Sequence, residues 1–314
     1  MNLQEMIQKY IKSGYTDEFA SSKLSQDLIL TAIANSKYSQ NITIKGGGVM
    51  HNLSNDKRRA TRDLDLDFIK YSLDNNSIIN FINELNKSTN YINFEIMDEI
   101  VPLHHQDYKG KRVFLKIKDN YKNEIDTKLD IGVHKLFELE QEQYMFDFSI
   151  INLGANLLIN SPEQIFTEKM KSLLKFNIRS TRYKDIFDFY YFIDNKLLDK
   201  EKLEKCFKIL IYDDKSLNVN NIKDLINQFE KITNSRLYKI NLNNPKYNWL
   251  DKNINDVIDE IKNYLITMDI VLFNDKTLII KCIFVAILLS RVKEKIALYN
   301  YIVIKVDGLS YTNN

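Results

Sequence analysis

Two short stretches of the chain hold the residue types that phosphate chemistry needs. In Asp63-Leu64-Asp65-Leu66-Asp67 acid and leucine alternate. A period of two is the signature of a strand with one polar and one apolar face. On such a strand residues i and i+2 project to the same side, roughly 6.6–7 Å apart along the backbone. Asp63 and Asp65 then stand side by side, close enough to share metal ions ~3.5–4 Å apart. Phosphoryl and nucleotidyl transfer bring several negative charges together, and magnesium held by carboxylates and substrate phosphates neutralises them. A third carboxylate from a neighbouring strand would complete such a site. Asp130 is the candidate, with Asp126 on the same face of the same stretch as second choice. Asp67 is expected on a solvated strand face.

The second stretch is Gly46-Gly47-Gly48, three of only eight glycines in the chain. Such clustering indicates unusual backbone geometry at one point. A short β-type run over 42–45 precedes the glycines, and a brief helix is expected around 49–53. A glycine loop between strand and helix aims backbone N–H groups and the helix N-terminus at an anion, here a phosphate cradled by Gly46 and Gly47. No Gly-Lys-Ser/Thr follows, so it is not a Walker A loop, nor is it a dinucleotide fingerprint. Either stretch alone can be an ordinary turn or a solvated edge; their order and spacing together point to a magnesium-dependent nucleotidyltransferase.

A local positive field follows. Between Ser161 and Asp185 there are six Lys/Arg (169, 171, 175, 179, 182, 184) against three acids (163, 168, 185). Lysine offers a phosphate a point charge and arginine a bidentate fork. A solvated helix face would look the same, and Asp185 and Asp188, three apart, could cap, pair with Arg182 or Lys184, or act chemically.

The elements that must position these residues follow from periodicity. The first forty residues read as helical, and 63–69 as a strand. A helix is expected over 76–87 and strands over 91–97, 112–117 and 124–131, the last two forming a hairpin. Ser161-Pro162-Glu163 looks like a helix start, with Ser as cap and Pro in the first turn. Helices over 163–174 and 182–194 lead into amphipathic stretches near 199–212, 219–234 and 251–268. Residues 278–299 read as one long buried helix and 301–306 as a strand. The fold class is therefore α+β: a mixed sheet flanked by helices over residues 1–195, then a mainly helical domain over 196–314, with the boundary near Asn195 to Leu198.

Composition sets wider limits. At 314 residues the chain is long enough for two domains. With 44 Lys+Arg against 42 Asp+Glu, the net charge of +2 gives no global attraction to nucleic acid or membrane. Cys206 and Cys282 are far apart and read as reduced core residues. The first residues do not form a secretory signal, and the most apolar run, 278–289, is short of the ~20 residues a bilayer needs. A cytoplasmic protein without a membrane span is expected.

The order Lys45-Gly-Gly-Gly48, Arg59-Ala-Thr-Arg-Asp-Leu-Asp65, Leu129-Asp-Ile131, Glu168-Lys169 and Arg182-Tyr-Lys-Asp-Ile-Phe-Asp188 resembles the AbiEii/AbiGii nucleotidyltransferases. These are toxins of type IV abortive-infection and toxin–antitoxin systems, within the polymerase-β-like superfamily. The resemblance spans residues 42–194; Gly48, beside the family's usual glycine pair, departs from it. It implies that Asp63 and Asp65 bind metal with Thr61 beside them near the nucleotide. It further implies that Lys169 contacts the triphosphate, and that Asp185 is a catalytic or substrate-orienting acid with Arg182 and Lys184 around it. The acceptor it suggests is RNA, such as a tRNA 3′ end, or a protein side chain; an antitoxin would be the partner. A small-molecule nucleotidyltransferase and a non-catalytic nucleotide- or RNA-binding protein are the rivals, and intact Asp63 and Asp65 speak against the second. His104-His105 with Asp107 reads as a solvated loop, His51 as helix surface, and Trp249 and the aromatic run 187–192 as packing.

Overall fold

The computed structural model describes residues 2–103 and 110–268. The His104, His105 and Asp107 group, Cys282, the helix expected over 278–299 and the strand over 301–306 lie outside the described residues. Two helices open the chain, α1 (Leu3–Lys12) and α2 (Asp17–Ala34). Then come β1 (Ile42–Lys45), α3 (Gly46–Ser54), β2 (Leu64–Ile69), α4 (Asn75–Lys87), β3 (Ile92–Ile96) and β4 (Val101–Leu103). Strands β5 (Gly110–Asp119), β6 (Glu124–His134), β7 (Gln141–Phe148) and β8 (Leu153–Asn160) complete the sheet.

The strand order is β3-β5-β6-β2-β1-β8-β7, with β4 paired to β5. β2 runs parallel to β6 and β1 parallel to β8; the other pairs are antiparallel. The sheet is mixed, as expected, and the β5–β6 hairpin forms where the turn-rich residues after Asp119 predict it. The alternation in β2 works as read: Leu64, Leu66 and Phe68 are buried in the core. The sequence reading assigns no element between 132 and 160, where the structure has β7 and β8. Their period-two pattern is legible in Phe146 and Phe148 and in Ala155, Leu157 and Ile159, all buried. Strand β8 is what gives β1 its second neighbour.

Helix α2 packs against β8 and β6. From Lys23 to Ile33 every residue is buried, so the polar residues there must find partners inside the protein. Lys23 Nζ donates to Asp27 Oδ1 at 2.6 Å, and the Tyr10 hydroxyl donates to Asp27 Oδ2 at 2.5 Å. Burial pushes the Asp27 carboxyl up and the Tyr10 hydroxyl far up.

Beyond the sheet the chain is helical: α5 (Pro162–Phe176), α6 (Tyr183–Asp194), α7 (Lys200–Phe207), α8 (Ile222–Thr233), α9 (Arg236–Leu242), and a helix from 254 to the last described residue, 268. Ser161 caps α5 as expected, its Oγ accepting from the Gln164 N–H at 3.2 Å with Pro162 in the first turn. Phe187, Phe189 and Phe192 are fully buried, and the Phe166 ring packs at a tilt against Phe189 and Phe207. Trp249 packs on Tyr191. Cys206 is a free, buried thiol. Among the described residues no helix is long and apolar enough to cross a membrane.

His51 departs from expectation. It is 2% exposed, its Nδ1 lies 3.1 Å from the Asp56 carbonyl and its Nε2 2.8 Å from the Tyr15 hydroxyl. A neutral ring with its proton on Nδ1 satisfies both, which fastens α3 to the α1–α2 turn. Burial, with Lys23 and Arg59 nearby, lowers its pKa to about 3. The unfolded chain takes up a proton below the ordinary 6.5, and the folded ring does not until far lower. This contribution is therefore complete above pH 6.5 and is lost as pH falls. By urea denaturation, the stability advantage of wild type over His51→Gln should shrink by about 2 kcal/mol between pH 7 and pH 5.

Candidate active site

Strand β1 passes into α3 without an intervening loop. Lys45 is extended, and Gly46 turns the chain with a left-handed φ of +68°. The three glycines thus form the first turn of the helix rather than a loop before it. A single left-handed residue suffices for the reversal, and glycine takes that conformation at no steric cost. An added Cβ on Gly46 would come 2.6 Å from Asp65 Oδ2, so the acidic strand lies directly against the glycine backbone. A Cβ on Gly47 would meet Thr61 Oγ1 at 3.0 Å. Thr61 is thereby fixed beside the glycines, and its carbonyl accepts from Gln26 Nε2 at 2.9 Å.

Register sets the acids. Asp65 faces Lys45 across β1–β2 and Asp130 across the parallel β2–β6 pair. Registered side chains share a face on strands ~4.8 Å apart, so Asp65 and Asp130 are direct neighbours. Asp126 is four residues further along β6, ~13 Å away; it is largely exposed and pairs with Lys116 at 3.5 Å. The structure therefore separates the second choice from the first.

Each acid but one has a cation. Asp63 pairs with Lys128 at 2.8 Å, and Asp130 takes both arms of the Arg112 fork at 2.7 Å each. Asp67 is buried and pairs with Lys45 Nζ at 2.6 Å, so it is not the solvated acid the alternation suggested. The reason is what meets that face of β2: Lys45 from the adjoining strand, with His134 of β6 and Glu168 of α5 close enough to interact with Asp67. Asp65 has no hydrogen bond or ion pair among the described residues. Removal from water, with Asp130 and Asp63 beside it, pushes its pKa up to about 6 against the opposing pull of Lys45 and Arg182.

Three carboxylates with no thiolate or imidazole form a hard-oxygen donor set of the kind magnesium prefers. As they stand, no three acidic, His or Cys side chains among the described residues converge on one ion. Asp63 and Asp130 are instead paired with Lys128 and Arg112. Asp65, a carboxylate beside another carboxylate with no cation of its own, is the place where a divalent ion fits.

The second half of the site comes from α5 and α6. Lys169 is buried, its ammonium 2.6 Å from Asp185 and 2.9 Å from Asp188. Asp188 is fully buried and also receives the Arg59 fork at 2.5 and 2.6 Å. Asp188 is held below the usual carboxylate range, burial being outweighed by Arg59 and Lys169. Arg182 is exposed, 3.9 Å from Asp185. Lys184 Nζ donates to the Arg58 carbonyl at 3.2 Å, and burial lowers its pKa. Lys169, Asp185 and Arg182 are thus brought together, with Lys169 paired with acids rather than presented to solvent, while Lys184 bonds to the Arg58 carbonyl.

Sequence reasoning gave no role to Lys45, Arg59, Lys128 and Arg112, which pair with these acids, and left Asp188 open between structural and chemical roles, without its partner Arg59. For Arg112 a signal existed. The hairpin pairs Lys118 with Glu124, and six residues outward on each strand it pairs Arg112 with Asp130.

A family model described as nucleotidyl transferase AbiEii toxin of a type IV toxin–antitoxin system matches residues 28–259. The chain belongs to the AbiEii nucleotidyltransferase toxin family. Nucleotidyltransferases of this kind generally use a divalent metal. Among solved structures it is similar to the nucleotidyltransferase toxin MenT4 of Mycobacterium tuberculosis H37Rv, at 13% identity and a TM-score of 0.51, covering 85% of this chain and 99% of that one. At that identity the likeness speaks for the fold alone. No curated protein sequence matches the chain. In this AbiEii protein the family match takes in both halves of the site, from the glycine turn to Asp188.

Gly46→Ala is expected to cost about 1–3 kcal/mol, because alanine would be strained at this φ and would displace Asp65. Gly47→Ala should cost less, since Thr61 can yield by a few tenths of an ångström. Urea midpoints of the two variants check the order.

Proposed function

We propose that the protein transfers a nucleoside monophosphate from a nucleoside triphosphate to an acceptor hydroxyl, with magnesium as the cofactor and RNA as the acceptor, and that it works in the cytoplasm beside an antitoxin. The observation that supports this best is the parallel register of Asp65 with Asp130, two residues after Asp63 and packed against the Gly46 backbone. In this reading Asp63, Asp65 and Asp130 hold magnesium. Magnesium, when bound, supplies the positive charge that the transferred and leaving phosphates require.

The chain's own groups do the rest. Gly46 and Gly47, at the N-terminus of α3, turn backbone N–H groups toward the triphosphate, with Thr61 at their side. Lys169, Arg182 and Lys184 bind its phosphates, and Asp185 orients Lys169. The acceptor oxygen bonds to the α-phosphorus, the bond from that phosphorus to the oxygen bridging toward the β-phosphate breaks, and pyrophosphate leaves. Asp130 accepts the hydroxyl proton on the oxygen that Arg112 gives up. The local excess of cations between 161 and 185 is compatible with an RNA backbone. The boundary between catalytic and helical parts is proposed at residues 195–198, where α6 ends.

Purified protein incubated with magnesium, each labelled nucleoside triphosphate and total RNA should label RNA. Asp63→Ala and Asp65→Ala should each lower that label on the order of 10³-fold. Label on the protein itself would replace RNA with a protein acceptor, and no label with unaltered nucleotide binding in both variants would overturn transfer altogether.

A further inference from the structure

We infer that Arg59 is a positioning residue for Lys169, acting through Asp188; this rests on the reading of Lys169 as the triphosphate contact. Arg59 is 4% exposed and lies just before Thr61 and Asp63, on the link from the glycine helix to the acidic strand. Its guanidinium grips Asp188 on α6, 129 residues later in the chain. A bidentate arginine fork fixes orientation as well as charge. The same Asp188 Oδ2 that receives Arg59 Nη2 at 2.6 Å also lies 2.9 Å from Lys169 Nζ.

Charge balance gives the pair its role. Arg59 and Lys169 face two carboxylates, Asp188 and Asp185, in a buried cluster. Arg59 neutralises Asp188, so Lys169 is held chiefly by Asp185, whose Oδ2 has no hydrogen bond. In that state Lys169 can turn to a phosphate at the loss of one partner. Without Arg59 the full charge of Asp188 falls on Lys169, and the ammonium stays between two uncompensated acids. A buried charge stripped of its partner also costs stability. For this reason the decisive readout must not be stability.

The test is calorimetric titration in magnesium without acceptor, comparing the best-bound nucleoside triphosphate with its own monophosphate. Circular dichroism confirms that each variant is folded. Lys169→Met should lose about ten-fold of the preference for triphosphate. Arg59→Met should lose nearly as much, Arg59→Lys an intermediate share, and Arg59→Met with Lys169→Met no more than Lys169→Met alone. Should Arg59→Met fail to fold, Arg59→Lys carries the comparison, because its ammonium cannot reproduce the fork. Full triphosphate preference in a folded Arg59 variant, or losses that multiply in the double variant, would overturn the inference while leaving Lys169 its role. An unchanged preference in Lys169→Met would overturn both.

Discussion

Asp65 and Asp130 lie side by side because β2 and β6 run parallel in one register, and this pairing cannot be relaxed without breaking the sheet. Two carboxylates ~5 Å apart repel by about 3 kcal/mol at an effective dielectric of 20. Asp63 adds to that field, and partial burial weakens the screening by water. The sheet therefore builds in a local excess of negative charge, and the surrounding side chains can be understood as responses to it. Lys45, Lys128 and Arg112 each come from a strand adjoining or next to the acids and each take one of them. Asp65 is left over, at the point where the glycine backbone comes closest.

The same compensation recurs in the half built by α5 and α6, with a different outcome. There the two cations and two carboxylates match, and every member is buried. A balanced buried cluster gives definite geometry more readily than net stability, since the desolvation of each ion offsets much of the attraction. The acidic half carries an excess of negative charge, whereas the helical half has positive charge of its own, which under the proposed function would pass to a phosphate. Arg59 belongs to both, by chain position to the first and by contact to the second.

How much of this the sequence discloses depends on whether the cause is local. Strand β2 is legible because alternation encodes both its conformation and its faces, and the Ser161 cap because capping is settled within one helical turn. Asp130 is legible as a partner to Asp65 only through its residue type and a plausible strand, and the register that decides between it and Asp126 is a tertiary fact. The fate of Asp67 is illegible for the same reason: whether an alternating acid is solvated or salt-bridged depends on what the rest of the fold, here Lys45 and Glu168, brings to that face. His51 and Asp188 are hidden further still. A histidine on a short helix or an aspartate at i+3 has no period that announces burial, and their partners, Tyr15 and Arg59, come from 36 and 129 residues away. The candidate site acids are partly visible in sequence, but the countercharges paired with them are not.

The helices beyond α6 bear on the same geometry. Tyr183, at the start of the helix that carries Asp185 and Asp188, packs its ring against Tyr238 at 5.1 Å and Tyr247 at 4.9 Å between centroids. Arg58, whose carbonyl receives Lys184, pairs with Asp251. On the other side, Glu163 in the first turn of α5 accepts from the Asp199 N–H at 2.7 Å. The segments bearing Lys169 and Asp185 are therefore buttressed from the helical region at both ends, α5 at its start and α6 at its start. In the proposed role, in which Lys169 leaves a carboxylate for a phosphate, the helix has to stay still while the side chain moves. The α8–α9 region and residues 243–251 supply contacts that hold the start of α6 from outside the sheet.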